Sequence, residues 1–200
     1  MDTTERNDVW RLTLVYTLAL TVLVALYRAM PYYLFDPYQG LPWNLVPVGA
    51  LALFAGSRLR GWWAVLLPLL AMVVSDLVLI APVSQIGYSA FGWSRLVVYA
   101  CFAAYVYLGR LVKEGEVSPL AIGAVAVAGG LQFYLITNFV QWLSDPQYTK
   151  DLAGMLSCYT AALPFYRNTL VGDLFFSGVF FGLHAALLRM LVPVKVRQPV

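Results

Sequence analysis

The sequence predicts an all-α, polytopic membrane protein: one bundle of six transmembrane helices, with a short extra helix in the loop at 144–168. The composition is 61% hydrophobic and 12% charged, whereas ordinary soluble domains carry roughly 25% charged residues. Several apolar runs approach the roughly 20 residues that a transmembrane helix needs. Loops rich in proline, glycine and aromatic residues separate these runs, as is typical of membrane–water interfaces. We expect no soluble domain.

The predicted helices lie between a polar N-terminal tail, 1–11, and a polar C-terminal tail, 192–200. The first tail is acidic and mixed in charge, and the apolar run after it is long enough to span a bilayer. We therefore expect helix one to be retained, because a secretory signal has a basic start and a shorter apolar core. The membrane domain covers 12–191, with helices at approximately 12–29, 45–57, 62–80, 95–108, 119–142 and 168–191.

The longest predicted connection, 144–168, contains a further helical segment. Residues 149–163 have a helical pattern but are too few to cross a bilayer, as is common for interfacial or re-entrant helices. Pro164 is expected to end this segment, because proline lacks the backbone N–H that continues a helix. Whether the segment lies on the surface or enters the bilayer stays open.

The basic residues are distributed unequally between the two sides of the predicted bundle. An even number of helices places both termini on one side. Nine of the 13 lysines and arginines lie on that side and four lie on the other. The positive-inside rule therefore predicts that both termini are cytoplasmic. The four on the outer side are Arg28, Arg95, Lys150 and Arg167.

Four predicted helices carry a carboxylate or an amide at about the same depth, close under the outer surface. Such groups are costly in lipid and need partners. Arg28, Arg95 and Arg167 lie at a similar level and are expected to supply them. Two interpretations stay open: an outward-facing pocket roofed by the aromatic loops 30–44, 81–94 and 144–168, or an ion-pair network that ties helices together. The residues are Asn44, Asp76, Asn138, Asn168 and Asp173.

The last predicted helix has one polar face and one face of small residues. The polar face spans about 80° of the helix and is expected to face a cavity or a partner group. The small face has a spacing of four, which suits close helix packing or contact with a partner protein. The alternative is that Arg167 and Asp173 simply pair and the glycines only help packing. The polar face consists of Thr169, Asp173, Ser177 and His184, and the small face of Gly178, Gly182 and Ala186.

The sequence contains no recognisable catalytic signature and no phosphate-binding loop, so we expect neither an enzyme nor a cofactor. Ser177 and His184 are seven residues apart on one helix, about 10.5 Å along its axis, which is too far for a nucleophile and its base. A single histidine excludes a histidine-rich metal site, and two cysteines are too few for a disulfide framework. The basic loops fit the topology rule better than nucleic-acid binding. A paired-carboxylate site of Asp76 and Asp173 is the remaining enzymatic alternative.

Several segments resemble an uncharacterised family of bacterial six-helix membrane proteins, over about residues 44–185. These segments are Pro47–Gly56, Pro68, Ser75–Leu77, Leu135–Phe139 with Trp142, Cys158–Tyr159, Pro164–Phe165 and Asn168–Leu174. The general layout is similar to the substrate-binding S components of energy-coupling-factor (ECF) vitamin transporters. That resemblance implies a location in the bacterial cytoplasmic membrane and a separate ABC-type module for energy coupling. The Ala-x-x-x-Ala motif of S components occurs on helix one only as Ala25 and Ala29, at its outer end.

The resemblance implies a membrane-embedded subunit that captures a small micronutrient in an outward-facing polar and aromatic pocket. The alternative is a scaffold or assembly subunit without a ligand. In the first case Arg167 would pair with Asp173 or with an anionic group of the ligand. Hydrogen bonds would come from Asn44, Asp76, Asn138, Asn168 and Asp173, and stacking from Trp43, Tyr134, Trp142 and Tyr159.

Overall fold

The structure, a computed structural model, describes residues 3–34, 44–85, 92–112 and 118–192. Within these ranges every regular element is a helix. The helices are α1 Thr3–Ala29, α2 Pro31–Leu34, α3 Val48–Arg58, α4 Trp63–Gln85, α5 Trp93–Gly109, α6 Pro119–Ser144 and α7 Leu152–Leu191.

Four of these helices are long and apolar enough to cross a membrane, which is typical of a polytopic membrane protein. The candidate spans are Glu5–Ala29, Trp63–Ile80, Pro119–Ser144 and Leu152–Leu191. The other two apolar helices, α3 and α5, are shorter. The all-helical prediction is thus confirmed for the described part of the chain, and four of the six predicted spans have the necessary length.

The short helix α3 lies at the centre of the bundle. All ten residues from Val48 to Ser57 are buried, and α3 contacts α1, α4, α5, α6 and α7. It has 11 residues, which gives a length of about 17 Å, roughly half of a bilayer core. A helix that is apolar on all sides is stable only where other elements surround it. The five neighbours supply that environment.

Glycines allow α3 and α5 to approach each other closely. A Cβ on Gly56 of α3 would overlap the backbone of Val106, and one on Gly109 of α5 would overlap the backbone of Leu53. The two glycines therefore face the opposite backbones in a reciprocal arrangement. Small residues at such crossings are a general means of helix packing in membranes.

A single helix, α7, replaces the two helices predicted for residues 149–163 and 168–191. It has 40 residues, with Pro164 inside, so it extends about 60 Å. The predicted break at Pro164 and the separate short helix are therefore not observed.

Contacts on both sides of Pro164 explain why α7 continues. The carbonyl that loses its helical N–H partner is that of Thr160, four residues before Pro164, and the contacts with α6 lie on either side of it. Tyr134 of α6 donates a hydrogen bond to the carbonyl of Tyr159, before the proline. The ring of Tyr134 also lies 4.8 Å from that of Tyr166, after the proline. One side chain thus holds both halves of α7 against α6.

Other boundaries also differ from the prediction. Helix α1 begins at Thr3, inside the predicted polar tail, and α4 continues to Gln85, so the predicted loop 81–94 is helical at its start. Gly61 has φ +66°, which allows the tight turn between α3 and α4. The remainder of the two predicted aromatic roofs, 35–43 and 86–91, lies outside the described residues.

Candidate functional site

Helix α7 directs its predicted polar face into the bundle. Asp173, Ser177 and His184 are all buried, and Thr169 is half-buried. Asp173 is 1% exposed, although a carboxylate is among the most costly groups to remove from water. Its surroundings therefore decide what α7 does in this bundle.

Four helices meet at the Asp173 side chain. Tyr105 of α5 donates a hydrogen bond of 2.5 Å from its hydroxyl to Oδ2. Gly49 of α3 packs so closely against Asp173 that a Cβ there would overlap Oδ1. Gly130 of α6 lies beside Oδ2, which is 3.6 Å from the position that a Cβ on this glycine would occupy. The carboxyl group is thus enclosed by two backbones without side chains and by one phenol.

Asp173 has no cationic partner among the residues that the structure describes. Arg28 and Arg95 pair with Asp76 instead. The predicted pair with Arg167 is not formed, because the Arg167 side chain is exposed on α7. A buried carboxylate without a counter-ion is unusual, since buried charges are normally paired.

A methyl-sized space adjoins this carboxyl group at Gly130. A Cβ at Gly130 would lie 3.6 Å from Asp173 Oδ2, 3.7 Å from Cε2 of Tyr166 and 3.9 Å from Cγ2 of Thr169. These are ordinary van der Waals distances, so the space would accept a methyl group without displacing its neighbours. We define the Asp173 site as Asp173, Tyr105, Gly130 and Tyr166.

Gln132 of α6 contacts α5 and has one buried polar atom without a hydrogen-bond partner among the described residues. Its Nε2 donates to the carbonyl of Cys101, one helical turn before Tyr105 and hence about 6 Å along α5. Its Oε1 is buried and has no hydrogen-bond partner among the described residues. The hydroxyl of Ser177, on α7, is also buried and has no hydrogen-bond partner among the described residues. Unsatisfied buried polar atoms are rare and call for an explanation.

Asp76 belongs to a different cluster, which is well paired. Arg28 of α1 lies 2.6 Å from Oδ1, and Nε of Arg95 of α5 lies 3.6 Å from Oδ2. Tyr99 donates a hydrogen bond of 2.7 Å to Oδ2, and Arg28 also donates to Ser75. The prediction that Arg28 and Arg95 would be partners of the buried carboxylates is confirmed at Asp76. The cluster ties α1, α4 and α5 together.

The two carboxylates do not form a common site. Their phenol partners, Tyr99 and Tyr105, are six residues apart on α5, about 9 Å along its axis. No side chain is a partner of both Asp76 and Asp173 among the contacts described. The sequence predicted that Asp76 and Asp173 lie at about the same depth and share partners, whereas in the structure each carboxylate has its own set of partners.

A further polar contact, missed by sequence reasoning, joins α1 to α7. Thr13 donates its hydroxyl proton to the carbonyl of Val9, so its oxygen accepts from Nε2 of His184 at 3.0 Å. The His184 ring also packs against Tyr16 and Phe54. The available signal was a series of threonines at spacing four, Thr13, Thr17 and Thr21, all of which are buried.

Several predicted ligand-binding residues instead join α6 to the first half of α7. Tyr159 donates to the carbonyl of Leu135, and Nε1 of Trp142 donates to the carbonyl of Thr149. Asn138 donates to the carbonyl of Tyr134 on its own helix. Tyr134 itself donates to α7 across Pro164, as described above. One donor of each of these side chains is therefore already hydrogen-bonded within the α6–α7 hairpin.

The turn of this hairpin is stabilised at both helix ends. The ammonium group of Lys150 donates to the carbonyls of Trp142, Asp145 and Tyr148, where the C-terminal end of α6 favours a cation. Asp151 caps α7 by accepting from the N–H of Gly154. That hydrogen bond, and a second from Thr149, hold the pKa of Asp151 below its ordinary value.

The remaining predicted residues are dispersed. Asn44 is exposed and has φ +67°, a conformation that asparagine tolerates better than most residues. Asn168 is half-buried on α7, and Trp43 lies outside the described residues. Gly178 and Gly182 are exposed, with nothing within 4 Å of an added Cβ, and Ala186 is half-buried. Their face therefore does not pack inside the described part of the chain.

The fold and the site define an all-helical, membrane-type protein with one paired and one unpaired buried carboxylate. No group of three His, Cys, Asp or Glu residues suited to a metal ion occurs among the described residues. The chain belongs to a family of unknown function, DUF6580, which matches residues 8–195. No curated protein and no solved structure matches it.

Proposed function

We propose that this chain is a membrane-embedded, solute-binding subunit for uptake of a small micronutrient, similar in role to an ECF S component. One observation carries the proposal: Asp173 is buried where α3, α5, α6 and α7 meet, and no cation of the described residues pairs with it. An intramembrane carboxylate of this kind marks a functional site by default. Either a proton or a bound ligand must neutralise it.

The contrast with Asp76 supports a functional role for Asp173. Asp76 is equally buried but has two arginines and a phenol as partners, so its role in holding helices together needs no ligand. Among the residues that the structure describes, Asp173 has only a phenol partner, although a buried charge without a partner destabilises a protein by several kcal/mol. A bundle selected only for stability would have little reason to retain such a group.

The proposed topology places Asp173 near the outer face of a bacterial cytoplasmic membrane. In this topology α3 and α5 complete six spans with the four longer helices, and both termini are cytoplasmic. Arg189, in the last turn of α7, would lie at the cytoplasmic boundary. Asp173 is 16 residues away, about 24 Å along the axis, compared with a bilayer core of about 30 Å. A solute would therefore reach it from outside.

Energy coupling would require a separate protein, since the sequence lacks a phosphate-binding loop. We propose an ABC-type energy-coupling module as that partner. The face of Gly178, Gly182 and Ala186 is available for such a contact, because its glycines are exposed.

A ligand-free scaffold is the second candidate, and the α6–α7 hairpin favours it. The polar groups of Tyr134, Asn138, Trp142 and Tyr159 all hydrogen-bond within the hairpin. Under this alternative the Asp76 cluster and the hairpin are sufficient to explain the polar residues.

Native mass spectrometry of the protein purified in mild detergent separates the two candidates. A binding subunit should retain a small molecule that is absent from an Asp173→Asn variant, in which shape is kept and charge is removed. Asp8→Asn, at an exposed position of α1, serves as the matched control and should retain the molecule. A bare wild-type chain, with no mass adduct after incubation with metabolite fractions, would support the scaffold instead.

A further inference from the structure

We propose that Asp173 is a proton-binding site and that the bound proton keeps α7 closed against α3, α5 and α6. In this closed state the carboxyl group is neutral, and release of the proton loosens the packing of α7. The inference goes beyond the proposed function, because it holds whether or not the chain takes up a solute. Three observations carry it: the enclosure of the carboxyl group, the charges around it and the contrast with Asp76.

The carboxyl group of Asp173 is enclosed too tightly for a hydrated counter-ion. Asp173 is 1% exposed. A Cβ on Gly49 would overlap Oδ1, and one on Gly130 would lie 3.6 Å from Oδ2, so two glycine backbones pack directly against the oxygens. A proton neutralises a carboxylate without occupying further space, and it is therefore the cation that this enclosure accepts.

The titratable side chains beside Asp173 are neutral at neutral pH. On α5 they are the hydroxyl of Tyr105, which contacts the carboxyl group, and the thiol of Cys101, one helical turn away. On α7 it is the hydroxyl of Tyr166, whose ring also borders the Asp173 site. Helix α6 contains no acidic or basic residue and no histidine. These neighbours supply no positive charge.

The basic residues of the surrounding helices lie far from the carboxyl group. Arg58 is nine residues beyond the glycine of α3 that contacts it, about 13.5 Å along that helix. Arg95 is ten residues before the phenol of α5, about 15 Å along the axis, and pairs with Asp76. On α7 itself, Arg167 is exposed, and His184 is 11 residues away and contacts α1 instead.

An ionised carboxylate at this position would be poorly stabilised. The structure describes one hydrogen bond to it, from Tyr105, although a carboxylate can accept about four. A buried acid without a counter-ion normally becomes neutral instead of keeping its charge. If Asp173 loses its proton, water must reach the carboxylate, and this requires the contacts at Gly49 and Gly130 to open. Proton release should therefore separate α7 from α3 and α6.

The same substitution at the two buried aspartates distinguishes a protonated from an ionised carboxyl group. An asparagine amide has the shape of a protonated carboxylic acid and carries no charge. Asp173→Asn should therefore preserve the closed state. Asp76→Asn should destabilise the protein, because it removes the charge that pairs with Arg28 and Arg95.

The first measurement is the pH dependence of unfolding, for full-length protein titrated with SDS in mixed micelles. Above about pH 4 the unfolded chain has released the proton of Asp173, while the folded protein still holds it, so stability falls as the pH rises. Relative to Asp173→Asn, the unfolding equilibrium of the wild type should shift by up to about tenfold per pH unit, which corresponds to one proton. The shift should stop once the folded protein has also lost the proton. Asp8→Asn, at an exposed position, is the control and should follow the wild-type profile.

The second measurement detects the proton itself and does not depend on a variant that folds. Infrared spectra of the wild type in nanodiscs, prepared with isotope-labelled aspartate, should contain the carbonyl band of a protonated carboxylic acid at neutral pH. The band should be absent from Asp173→Asn, be retained in Asp76→Asn, and move in Tyr105→Phe, which lacks the hydrogen bond to Oδ2. As alkaline pH removes the band, amide protection of α7 around Asp173, corrected for the intrinsic exchange rate, should fall in the wild type and not in Asp173→Asn.

Each contrary result overturns a defined part of the inference. A wild type without the protonated-acid band at neutral pH, or with the same stability profile as Asp173→Asn, would show that Asp173 does not hold a proton. A band that disappears with no change in the protection of α7 would overturn the role of the proton in closing the bundle. Neither result decides whether a solute binds, which the mass spectrometry proposed above tests separately.

Discussion

Replacing Asp76 by alanine should strongly destabilise the bundle, because it removes the common partner of two arginines. The side chains of Arg28 and Arg95 are only 13% and 22% exposed, and Asp76 is 1% exposed. Without the carboxylate, two guanidinium groups would repel each other in a largely dehydrated setting. Tyr99 would also lose its hydrogen-bond acceptor.

The magnitude follows from the burial of the cluster. Removing one partner of a buried ion pair typically costs about 3–5 kcal/mol. The partial exposure of both arginines allows some rehydration, so we expect the lower end, about 3 kcal/mol. For a chain of about this size, 1 kcal/mol corresponds to roughly 2–4 °C. The apparent melting temperature should therefore fall by about 6–12 °C.

Thermal unfolding in mild detergent, followed by size-exclusion fluorescence, provides the assay. Asp76→Asn, which keeps an acceptor for Tyr99, should have an intermediate effect. Asp8→Ala, at an exposed position of α1, is the control and should shift stability by no more than about 0.5 kcal/mol. The reasoning is refuted if Asp76→Ala melts within the same margin of the wild type as the control does.

Three further predictions concern packing, hydrogen bonding and pH. Gly56→Ala should cost about 1–3 kcal/mol through overpacking against α5, whereas Gly123→Ala should be neutral; equal melting temperatures would contradict this. Tyr105→Phe should cost about 1–3 kcal/mol, because a buried acceptor loses its donor, and a thermal shift below about 1 °C would argue against the hydrogen bond. The hydrogen bonds of Asp151 lower the pKa of its carboxyl group from the ordinary value of 3.8. The cap therefore stabilises α7 fully at a pH above 3.8, and this stabilisation is lost as the pH falls through the lower pKa of the folded protein. The protection of the Gly154 amide, measured as its exchange rate relative to that of an unstructured peptide at the same pH, should fall over that acidic range in the wild type and not in Asp151→Asn. The same protection profile in both proteins would contradict the cap.

The four long apolar helices and one polar cluster were predictable from the sequence, because they follow from local composition. Long apolar runs indicate spans by length alone. The requirement that intramembrane charges find partners was enough to predict Arg28 and Arg95 as partners at the depth of Asp76. The inward orientation of Asp173 and Ser177 followed from the helical period.

The central position of α3 and the continuity of α7 were not predictable in this way. Nothing in the 11 residues of α3 indicates that five helices surround it, since a short apolar helix also fits an interfacial position. Pro164 predicts a break by local rules, yet Tyr134 of a different helix holds both sides. Tertiary contacts override a local rule here, and a single sequence does not display them.

Asp173, the central residue of the candidate site, was predicted from the sequence, but the residues that surround it were not. Asp173 was identified because of its cost in lipid. Tyr105 was not identified, because it lies in a different helix and has no pattern of its own. Trp142 and Tyr159 were predicted to stack on a ligand, and their donors instead satisfy backbone carbonyls across the hairpin. Aromatic residues near an interface serve packing and binding alike.

The most direct test of the proposed binding function is a comparison of wild-type and Asp173→Asn protein by native mass spectrometry after identical purification and incubation with metabolite fractions. We expect a small molecule on the wild type that is absent from, or at least about tenfold weaker on, the variant. A wild-type chain that remains bare in every fraction would contradict it, and would leave Asp173 as a structural residue bonded only to Tyr105.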